Sequence, residues 1–169
     1  MSSYFIVLIL LCFFVCGNNG LRSEFSTKKE AEEYMQQFMV YYDHLKGGNV
    51  NKNFEFIQFY ISKDFVYCFG GQCTEGRDKY IESLNSYNTI IKDSTFNADV
   101  RNYGKKYLSL YIYQTITFLN DEVFTLPSEA TFILNDDGKL KYWMFAPNDQ
   151  RYIDQFNKIL QNNAGVQIK

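Results

Sequence analysis

Residues able to do chemistry are few in this chain, and one pair lies in "VYCFGGQCTEG", residues 66–76. Cys68 and Cys73 flank Phe-Gly-Gly-Gln, a spacing open to three uses: a covalent staple, half of a metal site or a redox pair. Zinc needs further Cys or His ligands, and the chain holds a single His, His44, and no second pair at this spacing. A redox pair usually keeps two residues between its cysteines and opens a helix. Phe65 to Phe69 instead has strand composition, and Gly70-Gly71 is a favoured two-residue hairpin turn. That turn sets Phe69 opposite Gln72 and Cys68 opposite Cys73, close enough to bond. A Cys68–Cys73 disulfide is the default expectation, with two free thiols as the alternative.

Nothing else forms a reactive constellation. No Gly-x-Ser-x-Gly elbow and no phosphate-cradling glycine loop occurs. His44 falls near the end of a helical stretch, where an imidazolium suits the helix dipole. Neither a metal nor an organic cofactor is expected.

The cysteine reading depends on compartment. Tyr4 to Val15 is an unbroken apolar run of 12 residues. A bilayer needs roughly 20, so the run suits the hydrophobic region of a secretory signal. Val15 and Gly17 offer small residues for cleavage after Gly17. Residues 1–17 are therefore expected to be removed and the rest secreted, where disulfides persist. The remaining residues, 18–169, suit one ordinary domain. A net charge of −2 and the absence of a basic stripe argue against nucleic acid or an anionic membrane as partner.

Helices come first in the chain. Thr27 and Glu30 have capping-box spacing. Ala31, Tyr34, Met35, Phe38, Tyr42 and Leu45 then form a helical stripe over Lys28 to Lys46, stopped by Gly47-Gly48. A short helix is expected from Asn51 to Ile61. After the cysteine hairpin, Gly76 leads into a helix from Arg77 to Tyr87 that buries Tyr80, Ile81 and Leu84. From Thr95 the period becomes two. Phe96, Ala98 and Val100 alternate with polar residues, and Tyr107 to Leu119 alternates again. Strands follow at Val123–Leu126 and Ala130–Leu134, with Pro127 as a break or bulge between them. After the Asn135–Gly138 turn the last strand is Lys139 to Ala146. An amphipathic helix is expected from Asp149 to Leu160.

This layout resembles the nuclear-transport-factor-2-like superfamily over residues 26–147. Two stretches carry the likeness: "FVYCFGGQCTEGRDKYIESL", with Gly76 and Ile81 in the usual places, and the final hairpin "LNDDGKLKYWMF". The resemblance implies a single α+β domain in which a curved antiparallel sheet wraps a long N-terminal helix as a cone. Residues 148–169 are then a short C-terminal helix and tail. In the ketosteroid-isomerase-like branch a helix Tyr polarises a carbonyl and a strand Asp moves a proton. Phe38 and Cys68 stand at those places here. Epoxide-hydrolase-like members use an Asp-Arg-Asp set, but Asp99 and Arg101 fall on the polar side of their strand.

Two expectations follow from alternation. If Leu108 and Leu110 face the helix, so do Gln114, Tyr142 and Met144. With Tyr34 or Tyr42 they line a candidate pocket for a small apolar ligand. The alternative is that Gln114 bonds a neighbouring group. On the opposite face, Tyr111, Tyr113, Trp143 and Phe145 form a patch suited to a homodimer or to cover by the C-terminal helix. The expected role is non-catalytic, binding a small apolar ligand or a protein partner outside the cell. A polyketide-cyclase-like or isomerase-like enzyme is the alternative.

Overall fold

The computed structural model describes residues 21–44 and 54–164. The expected signal segment, Leu45 and the Gly47-Gly48 stop lie outside them. The first described helix, α1 (Lys28–His44), opens on the expected capping box. The Glu30 amide donates to Thr27 Oγ1 at 3.2 Å. The Ser26 and Thr27 amides donate to Glu30 Oε2 at 2.7 and 3.2 Å. Ala31, Tyr34, Met35 and Phe38 are buried on one stripe, and Tyr42 continues it half-buried. Phe38 meets Phe132 edge-on at 5.2 Å and Trp143 at 5.9 Å, which fixes α1 against the sheet.

A short helix, α2 (Phe54–Tyr60), runs directly into β1 (Ile61–Phe69). The hairpin follows as expected. Gly70 and Gly71 have φ of +55° and +84°, the doubly left-handed pair that a two-residue turn demands. β2 (Gln72–Glu75) returns beside β1, with Cys68 opposite Cys73. The two sulfurs are bonded, and the Cα atoms lie 4.0 Å apart. The Gly76 amide donates to the Phe65 carbonyl at 2.7 Å, setting the start of α3 (Arg77–Asn88).

Four strands complete the sheet: β3 (Ile91–Gly104), β4 (Tyr107–Phe118), β5 (Val123–Leu134) and β6 (Leu140–Pro147). Their order is β2-β1-β6-β5-β4-β3, with β1 and β6 parallel and the other pairs antiparallel. Pro127 does not break β5, which is continuous through it, opposite Tyr113. The Pro127 carbonyl accepts from the Asn148 amide on the β6 side, just past the last β5–β6 pair at Ser128 and Pro147. A strand residue's N–H points the same way as its C=O, so the missing donor falls where the ladder has ended.

Alternation holds through β4, where Leu108, Leu110, Ile112, Ile116 and Phe118 are buried. It fails in β6. Leu134 pairs with Leu140, yet Ile133 pairs with Tyr142, leaving Lys141 as an extra residue. This bulge resets the parity. Leu140, Trp143 and Phe145 are buried, whereas Met144 is 39% exposed. Leu110 and Tyr142 therefore lie on opposite surfaces. Phe132 aligns with Trp143, and Tyr67 aligns with Trp143 from the other side. Trp143 stands at the middle of the concave face.

The last helix, α4 (Gln150–Ala164), packs on the concave side rather than over the convex face. Phe156 lies 5.7 Å from Phe124 and 5.8 Å from Phe69, both by ring centre. Ile153 packs over the hairpin tip at Gly70. At the opposite end of the sheet, Gly138 has φ +76°, and a Cβ there would lie 2.6 Å from the Arg22 carbonyl.

Candidate binding cavity

Between α1, α3, α4 and the concave sheet face lies a cavity of about 120 Å³. Each wall follows from a local rule. The α1 stripe delivers Tyr42. The strand period of two delivers Tyr67 and Phe69 from β1, because the disulfide holds Cys68 on the other surface beside Met144. The α3 face delivers Tyr80, Leu84 and Tyr87, while Gln114 and Ile116 come from β4. The bulge-shifted strand β6 supplies Trp143 and Phe145, and α4 closes the cavity with Phe156.

The polar groups form two sets. In the first, Gln114 Nε2 donates to Ser94 Oγ at 3.2 Å and to the Tyr42 hydroxyl at 3.4 Å. In the second are Tyr67 and Tyr80, with ring centres 5.2 Å apart. Trp143 stands 5.5 Å from Tyr67. Burial pushes both phenols well above the ordinary tyrosine value, and nearby phenolic oxygens add to it. Both remain protonated across the physiological range. Of the ionisable groups at the rim, Asp93 is exposed and accepts from the Ser94 amide at 2.8 Å. Lys92, also exposed, is paired with Asp121 at 2.5 Å. Among the described residues no three His, Cys, Asp or Glu side chains are grouped to hold a metal ion.

Of the five expected pocket residues, Gln114 and Tyr42 line the cavity. Tyr34 does not. It sits two turns earlier on α1, about 12 Å along the axis, with its hydroxyl donating to the Gly138 carbonyl at 3.4 Å. Tyr142 and Met144 do not either, since the Lys141 bulge turns them to the convex surface. The same bulge removes Trp143 and Phe145 from the expected interface patch and makes them cavity walls. Tyr111 and Tyr113 are on the convex face as expected. Tyr113 is 49% exposed, and the two rings meet at 5.0 Å. Asp99 and Arg101 are exposed there too, with Arg101 5.1 Å over the Tyr111 ring. The side chain of His44 lies outside the described set.

Tyr67, Tyr80 and Trp143 were not expected to stand together in a site. Tyr80 was legible as a buried face of α3, but nothing local announces its meeting with Tyr67. The useful signal was the hairpin: an outward Cys68 sends Tyr67 inward.

No family model matches the sequence, and no curated protein matches it. Solved structures do. One is an NTF2-like protein of unknown function from Exiguobacterium sp. 255-15, with TM-score 0.59 and 19% identity. That match covers 68% of this chain and 98% of that one. A second is a candidate SnoaL-like polyketide cyclase from Jannaschia sp. CCS1, with TM-score 0.55 and 12% identity, over 79% of this chain and 92% of that one. A third is TerC, co-crystallised with polyporic acid, with TM-score 0.55 and 14% identity, over 75% of this chain and 96% of that one.

Proposed function

We propose that the protein, whose fold is the α+β cone seen in nuclear-transport-factor-2-like proteins, binds a small, mostly apolar molecule in its concave cavity without transforming it, and does so after export from the cell. The observation that carries the reading is a cavity of about 120 Å³ walled by aromatic and aliphatic side chains. An engineered apolar cavity of about 150 Å³ accepts benzene, so the occupant is on the scale of one ring. General acid–base catalysis needs a positioned group with a pKa near the working pH. The buried phenols are displaced away from that range, and the rim carboxylate of Asp93 is exposed. The disulfide, and the absence of a membrane-length apolar helix among the described residues, are compatible with export.

Measurements of export and of binding test this. Protein recovered from a eukaryotic secretion host is expected to have lost residues 1–17 by intact mass; retention of the N-terminus overturns export. Trp143 is the only tryptophan and lines the cavity. Its emission is expected to respond to one-ring compounds, and organic extraction is expected to release a bound molecule of that size. Silence in both defeats the binding reading. Conversion of an added compound, lost in Tyr80→Phe, would favour a cyclase- or isomerase-like enzyme instead.

A further inference from the structure

The cavity wall has hydrogen-bond donors that the protein leaves unused. Trp143 is buried, and its indole N–H has no partner. The hydroxyls of Tyr67 and Tyr80 make no hydrogen bond with the described residues either. These are neighbours rather than scattered exceptions, since Tyr67 stands between the other two at ring distances of 5.2 and 5.5 Å. A buried donor without an acceptor is costly, and such groups in native proteins call for an explanation. The Trp143 N–H is such a group, and with the two unbonded hydroxyls beside it an acceptor brought in from outside would satisfy it.

The opposite wall has hydrogen bonds of its own. Gln114 spends its amide N–H groups on Tyr42 and Ser94. Among the described residues no cation stands in the buried wall: Lys92 is at the rim, exposed and paired with Asp121. A carboxylate entering the cavity would leave water without a counter-charge, which is unfavourable. The trio comes from β1, α3 and β6, while the mid-helix position on α1 is the fully apolar Phe38.

We propose that the ligand is a neutral one-ring compound carrying a carbonyl-type oxygen, held by the donors of Tyr67, Tyr80 and Trp143. This rests on the binding reading above and narrows it from "apolar" to "apolar with one acceptor end".

Cyclohexanone and methylenecyclohexane test it, being the same ring with C=O replaced by C=CH2. Isothermal titration of the purified protein measures both affinities. The one indole cross-peak of protein labelled with 15N at tryptophan reports occupancy of the cavity. The ketone is expected to bind about tenfold more tightly, the scale of one or two net hydrogen bonds. In Tyr67→Phe/Tyr80→Phe the ratio is expected to fall towards about one while the hydrocarbon still binds. The wild-type ratio decides the matter even if that variant does not fold. Equal affinities in the wild type overturn the acceptor inference and leave the binding reading intact. No binding of either compound, with an unmoved indole signal, overturns both.

Discussion

Trp143 and Met144 are adjacent in sequence, and one residue of strand separates the inside of this protein from its outside. Trp143 is 3% exposed and touches Phe38, Tyr42, Tyr67, Phe96 and Phe132, whereas Met144 is 39% exposed. A charge at the first position would be buried without a partner. Trp143→Asp is expected to cost more than about 4 kcal/mol, enough to unfold a marginally stable domain. Met144→Asp should change stability by less than about 0.5 kcal/mol. Urea unfolding followed by far-ultraviolet circular dichroism checks both, and equal costs would mean that the β6 parity is wrong. The assignment of these two residues was not legible in the sequence. "GKLKYWMF" reads as simple alternation, and only pairing with β5 reveals that Lys141 is an extra residue. Its exposed side chain, 3.3 Å from Asp64, gives no local hint of the bulge.

Elements whose cause is local were legible in full. The α1 capping box needs only Thr27 and Glu30 three residues apart, and it forms. Its pH dependence follows from geometry. The Ser26 amide, then the Thr27 amide and the Arg22 guanidinium 2.6 Å away, hold the Glu30 carboxyl below its ordinary value of 4.5. A carboxylate depressed in the folded state contributes stability above the unfolded value and loses it as the pH falls through the folded one. Stability is therefore expected to decline as the pH drops below about 4.5. Glu30→Gln should remove that part of the decline, seen in urea midpoints across the acid range. The contribution is small because the group is solvent-exposed. The hairpin was equally legible, since Gly70-Gly71 sets the register that joins Cys68 to Cys73. Its consequence for α3 was not, because it depends on Gly76 reaching back to Phe65. Closing so short a loop contributes about 2 kcal/mol in the chain-entropy view. The double variant Cys68→Ser/Cys73→Ser is expected to lose that amount, to keep its sheet and to loosen β2 and the Tyr80 wall that follows it. Unchanged stability in urea would refute the tie. Pro127 misled for a related reason: whether a proline interrupts a strand depends on where the neighbouring strand ends.

The whole molecule makes its cavity from nearly every element, so the cavity is a property of the assembled cone rather than of any segment. Long-range pairing therefore hid the site: Gln114 and Tyr42 were readable from their own periodicities, while Tyr67, Tyr80 and Trp143 meet only through β1–β6 pairing and α3 docking. The convex face keeps Tyr107, Tyr113, Ile133 and Met144 exposed, away from the helices. On the concave side α4 occupies a distinct position. Phe156 is both wall and fastening, set among Phe69, Tyr87, Phe118 and Phe124, with Ile153 against the hairpin tip. The sheet hydrogen bonds do not depend on that helix. Its departure would widen the hollow at a fraction of the cost of unfolding, since local openings need less free energy than the global one. Residence time, rather than affinity alone, then answers to Phe156. Phe156→Ala is expected to speed both entry and escape of a one-ring guest in stopped-flow traces of Trp143 emission, shifting the two rates together. How long a guest stays would thus depend in part on a residue of the final helix, and not only on how well the hollow suits it.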